Sequence, residues 1–416
     1  MANHMGVISR LILILVICQL TYQPLYSQRR IGFELPVGVN KLEIPFEEYS
    51  NLIVIPITIN GFITVKFVLD TGAESAILTE KALGDLLNLQ YVREITIAAP
   101  GINDALGAFV ATDVQLSLPF GVNGFGMNML VLKEDYLELS QNLGAEIYGI
   151  IGYDIFSRFV VEIDYLNDML ILYAPDYFQP RSSFTAIPMP LKKTKPFIEF
   201  KIGQHNSSDT VSLLIDTGAS HAMLLDVKET KEIELPKKLL KTRLGQGIGG
   251  EIPGFIGRME TCAIDKFYFR KVLVSIPLSG AYTKAIKRGS LHGTIGGDLL
   301  SRFRVIIDYQ NETLYLKKGS YYKVPFEFDM SGLTLGAKGT KLDSLVVLFV
   351  RDHTPAKRAG VKAGDYVKNL NGYNLHNSTL SQMNAFLRKR PGVKVRMTIL
   401  RGGKKIKKRF KLDRMI

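Results

Sequence analysis

The sequence predicts a mainly β protein with two homologous lobes followed by a separate C-terminal module. Three observations support this prediction: an internal repeat, short strand-like segments between turn residues, and an abrupt change of charge near residue 330. A length of 416 residues is enough for two or three domains that each bury a core. With 46% hydrophobic and 22% charged residues, the composition excludes a wholly disordered or collagen-like chain.

The internal repeat has two elements. Residues 149–165 (GIIGYDIFSRFVVEIDY) and 293–309 (GTIGGDLLSRFRVIIDY) are identical at 11 of 17 positions. Upstream, FVLDTGAESAIL at 67–78 matches LLIDTGASHAML at 213–224. Because the spacing between the two elements is nearly equal in both copies, the sequence predicts two homologous lobes, at 42–175 and 185–320.

Each lobe is expected to be rich in β-strands. Runs of Val, Ile, Thr and Phe separated by Gly, Pro and Asn are typical of strands. The predicted strands include Leu52–Ile59, Gly61–Leu69, Ile95–Ala99 and Phe159–Ile163. Asp154 and Asp298 are expected to be N-caps of short helices, which is a structural role.

The N-terminus predicts export. An apolar run at Leu11–Cys18 follows Arg10 and ends in a polar stretch, which is typical of a secretory signal peptide at residues 1–27. An uncleaved N-terminal anchor is the alternative. Either reading places the protein in the periplasm, at the cell surface or in the medium. After cleavage only Cys262 remains, so neither an intramolecular disulfide nor a Cys-x-x-Cys zinc site is expected.

The candidate chemistry lies in Asp-Thr-Gly, which occurs once in each lobe at the end of an apolar strand. If the two lobes face each other, Asp70 and Asp216 meet, and two close carboxyl groups share one proton. One group can then accept a proton from water while the other donates a proton to a carbonyl oxygen. This is the pair of roles that peptide hydrolysis by an activated water requires.

The neighbours of each Asp are expected to support the two loops. Gly72 and Gly218 leave room for the carboxyl groups and permit a tight turn. Thr71 and Thr217 carry hydroxyls that can bond across the interface between the lobes.

On these motifs, together with Ile150-Ile151-Gly152 and Thr294-Ile295-Gly296, the sequence resembles the retropepsin-like aspartic proteases in a fused two-lobe form. The resemblance implies two pseudo-symmetric acid-protease β-barrel lobes and an Asp70/Asp216 dyad within one chain. It also implies an extended polypeptide substrate. No metal or organic cofactor is implied.

Proteases of this family cover the cleft with a glycine-rich hairpin, the flap. The resemblance assigns the second-lobe flap to Gly247, Ile248, Gly249 and Gly250. Although the surrounding glycines also satisfy G-x-G-x-x-G, Pro253 and Gly254 follow where a dinucleotide-binding fold needs a helix. A first-lobe flap is expected near Ala98–Gly107.

Four further residues bear on the proposed site. Ala73 and Ala219 follow the two Asp-Thr-Gly motifs, where pepsin-type enzymes by resemblance carry Ser or Thr. Because a hydroxyl there would favour the ionised carboxylate, its absence predicts an activity optimum in mildly acidic to neutral conditions. Glu74 either contacts substrate or pairs with an Arg. His221 is expected to be a surface or packing residue, with a modulating role as the alternative.

The C-terminal module is strongly basic. From Met330 onward there are 20 Lys and Arg against four Asp and Glu, whereas the preceding residues contain 32 against 35. The run from Pro355 to Asp365 and the pair Asn371-Gly372 resemble a bacterial-type PDZ domain over 330–412. The resemblance implies that the module captures a peptide by strand addition.

Within that module, the resemblance assigns the loop for a terminal carboxylate to Gly332, Leu333, Thr334 and Leu335. Thr334 replaces the family's second glycine, which argues against terminal capture. Leu380 and Met383 either line the peptide pocket or belong to the core.

The basic C-terminal strand predicts either a solvated face or attraction to anionic lipid or acidic substrate segments. Such lipid attraction would give the module a peripheral membrane contact. Nucleic acid is not expected as a partner, because an exported protein rarely meets it.

The function predicted from sequence is that of an exported aspartic endopeptidase whose PDZ module recruits or positions substrate. The alternative is a non-catalytic adaptor in which the protease lobes form a scaffold and the PDZ module binds peptides.

Overall fold

The computed structural model describes residues 31–97, 106–205, 207–226, 234–247, 250–278 and 292–416. The predicted signal peptide at 1–27, most of the predicted first-lobe flap and the flap residues Ile248 and Gly249 lie outside these ranges.

Hydrophobic strands with buried β-branched residues build the first lobe. Its strands are β1 (Gly32–Glu34), β2 (Lys41–Pro45), β3 (Glu47–Tyr49), β4 (Leu52–Ile59), β5 (Ile63–Leu69), β6 (Ala76–Leu78), β7 (Tyr91–Ile97), β8 (Leu106–Leu118), β9 (Val122–Leu132), β10 (Ile147–Ile151), β11 (Val160–Asp164) and β12 (Met169–Tyr173). Its helices are α1 (Lys81–Leu86), α2 (Leu139–Leu143) and α3 (Tyr153–Phe156). The sheet includes β1, so the lobe begins upstream of the predicted boundary at residue 42.

Six of these strands close into a barrel. Following the hydrogen-bonded pairs, the ring runs β4, β5, β10, β6, β9, β8 and back to β4. The pairs β5–β10 and β6–β9 are parallel and the others are antiparallel. Inward-facing side chains such as Ile55, Phe67 and Val131 are fully buried. Their burial is the main stabilising contribution of the lobe.

The second lobe repeats this topology. Its strands are β13 (Thr185–Pro188), β14 (Leu191–Lys192), β15 (Lys195–Gln204), β16 (Ser207–Ile215), β17 (Met223–Leu225), β18 (Leu240–Gly247), β19 (Gly250–Ile264), β20 (Phe267–Pro277), β21 (Gly293–Ile295), β22 (Phe303–Asp308) and β23 (Thr313–Lys318), with α4 at Gly297–Leu300. The ring β15, β16, β21, β17, β20, β19 and back to β15 corresponds strand for strand to the first barrel.

A six-stranded sheet joins the lobes. Its order is β13-β23-β22-β11-β12-β2, so each lobe contributes three strands. At its centre β11 pairs antiparallel with β22, and Glu162 lies opposite Ile306. These two residues occupy equivalent positions in the repeat, so the pseudo-two-fold axis passes through this pair.

The C-terminal module is a five-stranded sheet with two helices. The strands are β24 (Leu333–Lys338), β25 (Ser344–Val350), β26 (Tyr366–Leu370), β27 (Lys394–Arg401) and β28 (Lys404–Lys411), in that spatial order, and the helices are α5 (Pro355–Arg358) and α6 (Leu380–Leu387). A capping box between Thr379 and Gln382 starts α6. The basic strand β28 exposes alternate residues, as a solvated strand face does. The predicted mainly β fold class is confirmed.

The predicted N-caps are wrong. The N-cap residues of α3 and α4 are Gly152 and Gly296, and Asp154 and Asp298 lie inside the first turn. Glycine is required at the cap because the chain there passes against the adjacent Asp-Thr-Gly loop. Asp298 instead pairs with Arg302 one turn later, at 3.3 Å.

No helix in the described part of the chain is both long enough and apolar enough to span a bilayer.

Candidate active site

Strand ends position the two Asp-Thr-Gly motifs at the junction of the lobes. Asp70 follows β5 and its backbone N–H donates to the carbonyl of Ile151 at 2.8 Å. Asp216 follows β16 and donates in the same way to Ile295 at 2.9 Å. The parallel neighbours β10 and β21 therefore hold the catalytic candidates by their backbones, whatever the protonation state of the side chains.

Reciprocal hydrogen bonds lock the two loops together. The backbone N–H of Thr71 donates to Oγ1 of Thr217 at 3.1 Å, and that of Thr217 donates to Oγ1 of Thr71 at 3.1 Å. Each hydroxyl also donates to a carbonyl of the other lobe, Thr71 to Ile215 at 2.6 Å and Thr217 to Leu69 at 2.8 Å. Both Thr side chains are buried, so the loss of either would leave backbone groups without partners.

The carboxyl groups come together over glycines. A Cβ atom placed on Gly218 would lie 2.6 and 2.7 Å from the two carboxyl oxygens of Asp70, so no side chain fits there. One on Gly72 would lie 3.0 Å from Oδ1 of Asp70 and 3.8 Å from Oδ1 of Asp216. The structure therefore brings both predicted Asp residues and their four supporting neighbours into one cluster.

Burial and mutual contact raise the pKa values of the pair. Burial raises the pKa of Asp70, opposed by N–H donors, including Gly72 at 2.6 Å, and by a hydrogen bond from Asp216. Burial also raises the pKa of Asp216 well above its usual range, and the adjacent Asp70 charge raises it further. Both carboxyl groups therefore hold protons more strongly than an exposed aspartic acid does, and the two titrate as a pair.

A lysine that was not predicted from sequence also acts on the pair. The positive charge of Lys195 lowers the pKa values of both Asp70 and Asp216. Its Nζ lies 3.7 Å from Oε1 of Glu74. Glu74 thus faces a lysine, and the alternative of an arginine partner is wrong. In the other half, Asn51 donates from Nδ2 to the carbonyl of Ser220 at 3.1 Å.

These two contacts are related by the repeat. The strand registers make Lys195 equivalent to Leu52, the residue after Asn51, and Glu74 is equivalent to Ser220, so each lobe's hairpin reaches the Asp loop of the other lobe. In the sequence, the repeat relates the positions of these residues in the two lobes. It does not show that residues of one lobe contact the other.

His221 is a packing residue. Its Nε2 lies 2.7 Å from Oγ1 of Thr294, inside the element that supports Asp216. Burial lowers the pKa of the ring to about 4. The ring is therefore neutral at physiological pH and adds no charge to the site.

Two of the four predicted second-lobe flap residues, Gly247 and Gly250, are described. They form the last pair of strands β18 and β19, whose register runs from Leu240↔Ile256 to Gly247↔Gly250. Gly250 has a φ of +100°, a conformation that favours glycine. In the first lobe the hairpin β7–β8 occupies the corresponding place, and of the predicted flap only Leu106 and Gly107 are described.

The predicted carboxylate-binding loop of the C-terminal module already has internal partners. The N–H of Gly332 donates to Oδ2 of Asp329 at 2.7 Å, and the N–H of Leu333 donates to Oγ of Ser331 at 3.0 Å. Arg351 pairs with Asp329 and completes the cluster. Two of the four N–H groups of the predicted loop therefore already have partners within the chain.

One cavity in the described part of the chain lies away from the paired Asp residues. It has a volume of about 890 Å³ and is lined by second-lobe and C-terminal residues, among them Arg258, Arg270 and Arg414. Neither Asp70 nor Asp216 contributes to it. Within the described ranges, no group of three or more His, Cys, Asp or Glu side chains could hold a metal ion. Cys262 is a buried free thiol.

Comparisons with known proteins match two parts of the chain. Residues 198–298 match the family model described as aspartyl protease, and residues 326–412 match that of the PDZ domain. The first match contains Asp216 and the Thr294-Ile295-Gly296 element.

A search of curated proteins found no match. Among solved structures, the chain aligns with the aspartic proteinase from Irpex lacteus at 13% identity and a TM-score of 0.40, over 68% of this chain and 99% of that one. Residues 198–298 are therefore similar to aspartyl proteases and residues 326–412 to PDZ domains, and the barrel topology of the second lobe is repeated in the first.

Proposed function

We propose that the protein is an exported aspartic endopeptidase that hydrolyses peptide bonds with water activated by Asp70 and Asp216. The observation that carries the proposal is the locked pair of Asp-Thr-Gly loops, which brings two carboxyl groups with raised pKa values against each other.

In the proposed reaction, the oxygen of a water molecule attacks the peptide carbonyl carbon while ionised Asp70 accepts a proton from that water. Protonated Asp216 donates its proton to the carbonyl oxygen, which gives a neutral tetrahedral diol. Transfer of the proton from Asp70 to the amide nitrogen then breaks the C–N bond, and Asp216 regains a proton from the diol. The pair returns to its starting state without a covalent intermediate.

The substrate is proposed to be an extended polypeptide beneath the hairpins β7–β8 and β18–β19. The PDZ module is proposed to recruit or position it. Since the described site draws Asp70 and Asp216 from one chain, no second subunit is required for the chemistry.

Replacement of Asp70 or Asp216 by Asn tests the proposal. Each variant removes the proton exchange and is expected to lower kcat by about 10²-fold to 10⁴-fold or more. Cleavage of a diverse peptide pool, with and without a statine-type inhibitor, gives the measurement. Asp113→Asn and Asp265→Asn make the same charge change at exposed positions, one in each lobe, and are expected to cleave normally.

Persistent cleavage by either Asp70→Asn or Asp216→Asn protein would overturn the dyad assignment. If the unmodified protein cleaves nothing but binds peptides, the adaptor function is correct instead.

Export is part of the proposal and depends on the N-terminal apolar run. Fractionation of producing cells is expected to recover a protein that begins near residue 28. A protein retained in the cytoplasm with an intact N-terminus would contradict it.

A further inference from the structure

The peptide groove of a PDZ domain lies between an edge strand and a helix. In this chain those elements are β24, which pairs on one side with β25 and has no other described strand neighbour, and α6, which packs against it. An incoming peptide would lie about 4.8 Å from β24 along its free edge.

Residues of the first protease lobe already occupy one end of that space. A Cβ atom on Gly144, which follows helix α2, would lie 2.9 Å from Cβ of Leu380 in α6 and 3.8 Å from Cβ of Ala337 in β24. Gly144 therefore touches both walls of the groove at once. The carbonyl oxygen of Gln141 would lie 3.2 Å from a Cβ on Gly336, so α2 also covers the strand.

A hydrogen bond fastens the same face of the module to the first lobe. The backbone N–H of Ser50, in the turn between β3 and β4, donates to Oγ of Ser381 at 3.2 Å. Leu380 and Met383 are 1% and 0% exposed and belong to the module's core cluster. An open groove would leave part of such side chains exposed to solvent.

At the opposite end of the groove, two backbone N–H groups also have hydrogen-bond partners within the chain. Asp329 and Ser331 accept the hydrogen bonds of Gly332 and Leu333 that a terminal carboxylate would otherwise receive. The two ends are occupied by unrelated parts of the chain, so they are independent observations.

We propose that the PDZ groove is closed within the chain by the Gln141–Gly144 segment and that a peptide enters only when the first lobe and the module separate. Peptide binding and docking of this segment are then mutually exclusive. The apparent affinity for a peptide is reduced by the fraction of molecules in which the groove is open. The inference concerns peptide binding and does not depend on cleavage.

A reversible lock tests the proposal. Ser50→Cys with Ser381→Cys joins the two sides of the contact. The full chain also carries Asp70→Asn, to prevent cleavage, and Cys18→Ser, so that Cys262 is the one native cysteine left. Cys262 is buried, and burial raises the pKa of its thiol, so it does not compete. Mass spectrometry verifies the cross-link.

The probe is a pool of fluorescein-labelled decapeptides with randomised last four residues, prepared with free and with amidated carboxyl ends. Oxidation is expected to weaken binding at least about tenfold, and dithiothreitol is expected to restore it. The free and amidated pools are expected to bind equally, because Asp329 occupies the loop.

A bulky substitution at the same contact should have the opposite effect and open the groove. Ser381→Arg places a long charged side chain against Ser50 and is expected to strengthen peptide binding and to increase hydrogen exchange at 333–338. Ala385→Arg adds the same side chain at an exposed position of α6 and is expected to change neither. Equal binding by locked and reduced protein, or identical behaviour of the two Arg variants, would overturn the proposal.

Discussion

Single residues decide how strongly the paired carboxyl groups hold a proton. Burial raises the pKa values of both Asp70 and Asp216, whereas N–H donors and Lys195 oppose the rise. Catalysis by such a pair requires one ionised and one protonated group, so raised pKa values move both limbs of the pH–rate profile to higher pH. The mildly acidic to neutral optimum expected from Ala73 and Ala219 is consistent with this direction.

Hydroxyls at those positions should reverse the effect. Thr in place of both Ala73 and Ala219 can donate to the ionised carboxylate, which stabilises it by about 1.5–3 kcal/mol. The acid limb is therefore expected to move down by about one to two pH units. The profile of kcat/KM against pH measures this, with Ala186→Thr as an exposed control. An acid limb that stays in place would contradict the explanation.

The elements that unite the lobes are the central strands β11 and β22. Glu162 on β11 is fully buried and pairs with Arg304 on β22 and with Arg181, at 2.5 Å from the latter. Tyr173 also donates to it at 2.7 Å. Burial raises the pKa of Glu162, but these donors lower it below its usual value, so the ion pair persists at neutral pH.

Removal of this carboxylate should loosen the junction. Glu162→Ala leaves a cavity and deprives Arg304 of a partner. The free energy of unfolding is expected to fall by about 2 kcal/mol, a moderate loss because both arginines are partly exposed to solvent. Urea unfolding gives the measurement. Glu199→Ala, at an exposed strand position, is the matched control and should be nearly neutral. Equal effects of the two changes would show that the pair does not stabilise the junction.

At the scale of the whole molecule, one chain supplies both halves of the proposed site. An equimolar mixture of Asp70→Asn and Asp216→Asn proteins is therefore expected to remain inactive, since no exchange of lobes is needed to complete the pair. Specific activity of the unmodified protein should not change on dilution. Activity that appears on mixing would indicate that the functional site forms between chains.

The C-terminal module is attached to both lobes. It contacts the first lobe through Ser50 and Ser381, and Arg243 at the base of the β18–β19 hairpin lies 4.5 Å from the ring centre of Phe349. The module is therefore in contact with the hairpin predicted to cover the cleft. Attraction of its basic strand to anionic lipid stays a prediction.

Much of the fold could be predicted because both lobes carry the same two sequence motifs. A single Asp-Thr-Gly is ambiguous, but two copies at nearly equal spacing from a repeated Gly-containing element predict two lobes and a paired site. The strand ends, the Asp loops and α6 depend on the local residue pattern. The structure places them where that pattern predicts. The N-caps could not be assigned correctly, because Gly152 was needed for close packing against a loop distant in sequence.

By itself the sequence determined the β-rich class, the duplicated lobes, the candidate Asp pair and the existence of a separate basic module. Periodicity, turn residues and repetition are local properties that a linear chain displays directly. Only the tertiary structure decided that Lys195 faces Glu74, that Asp329 accepts the N–H of Gly332, and that Gly144 lies against Leu380 and Ala337. Each of these contacts depends on which surfaces dock once the lobes have folded, and no residue pattern encodes that docking.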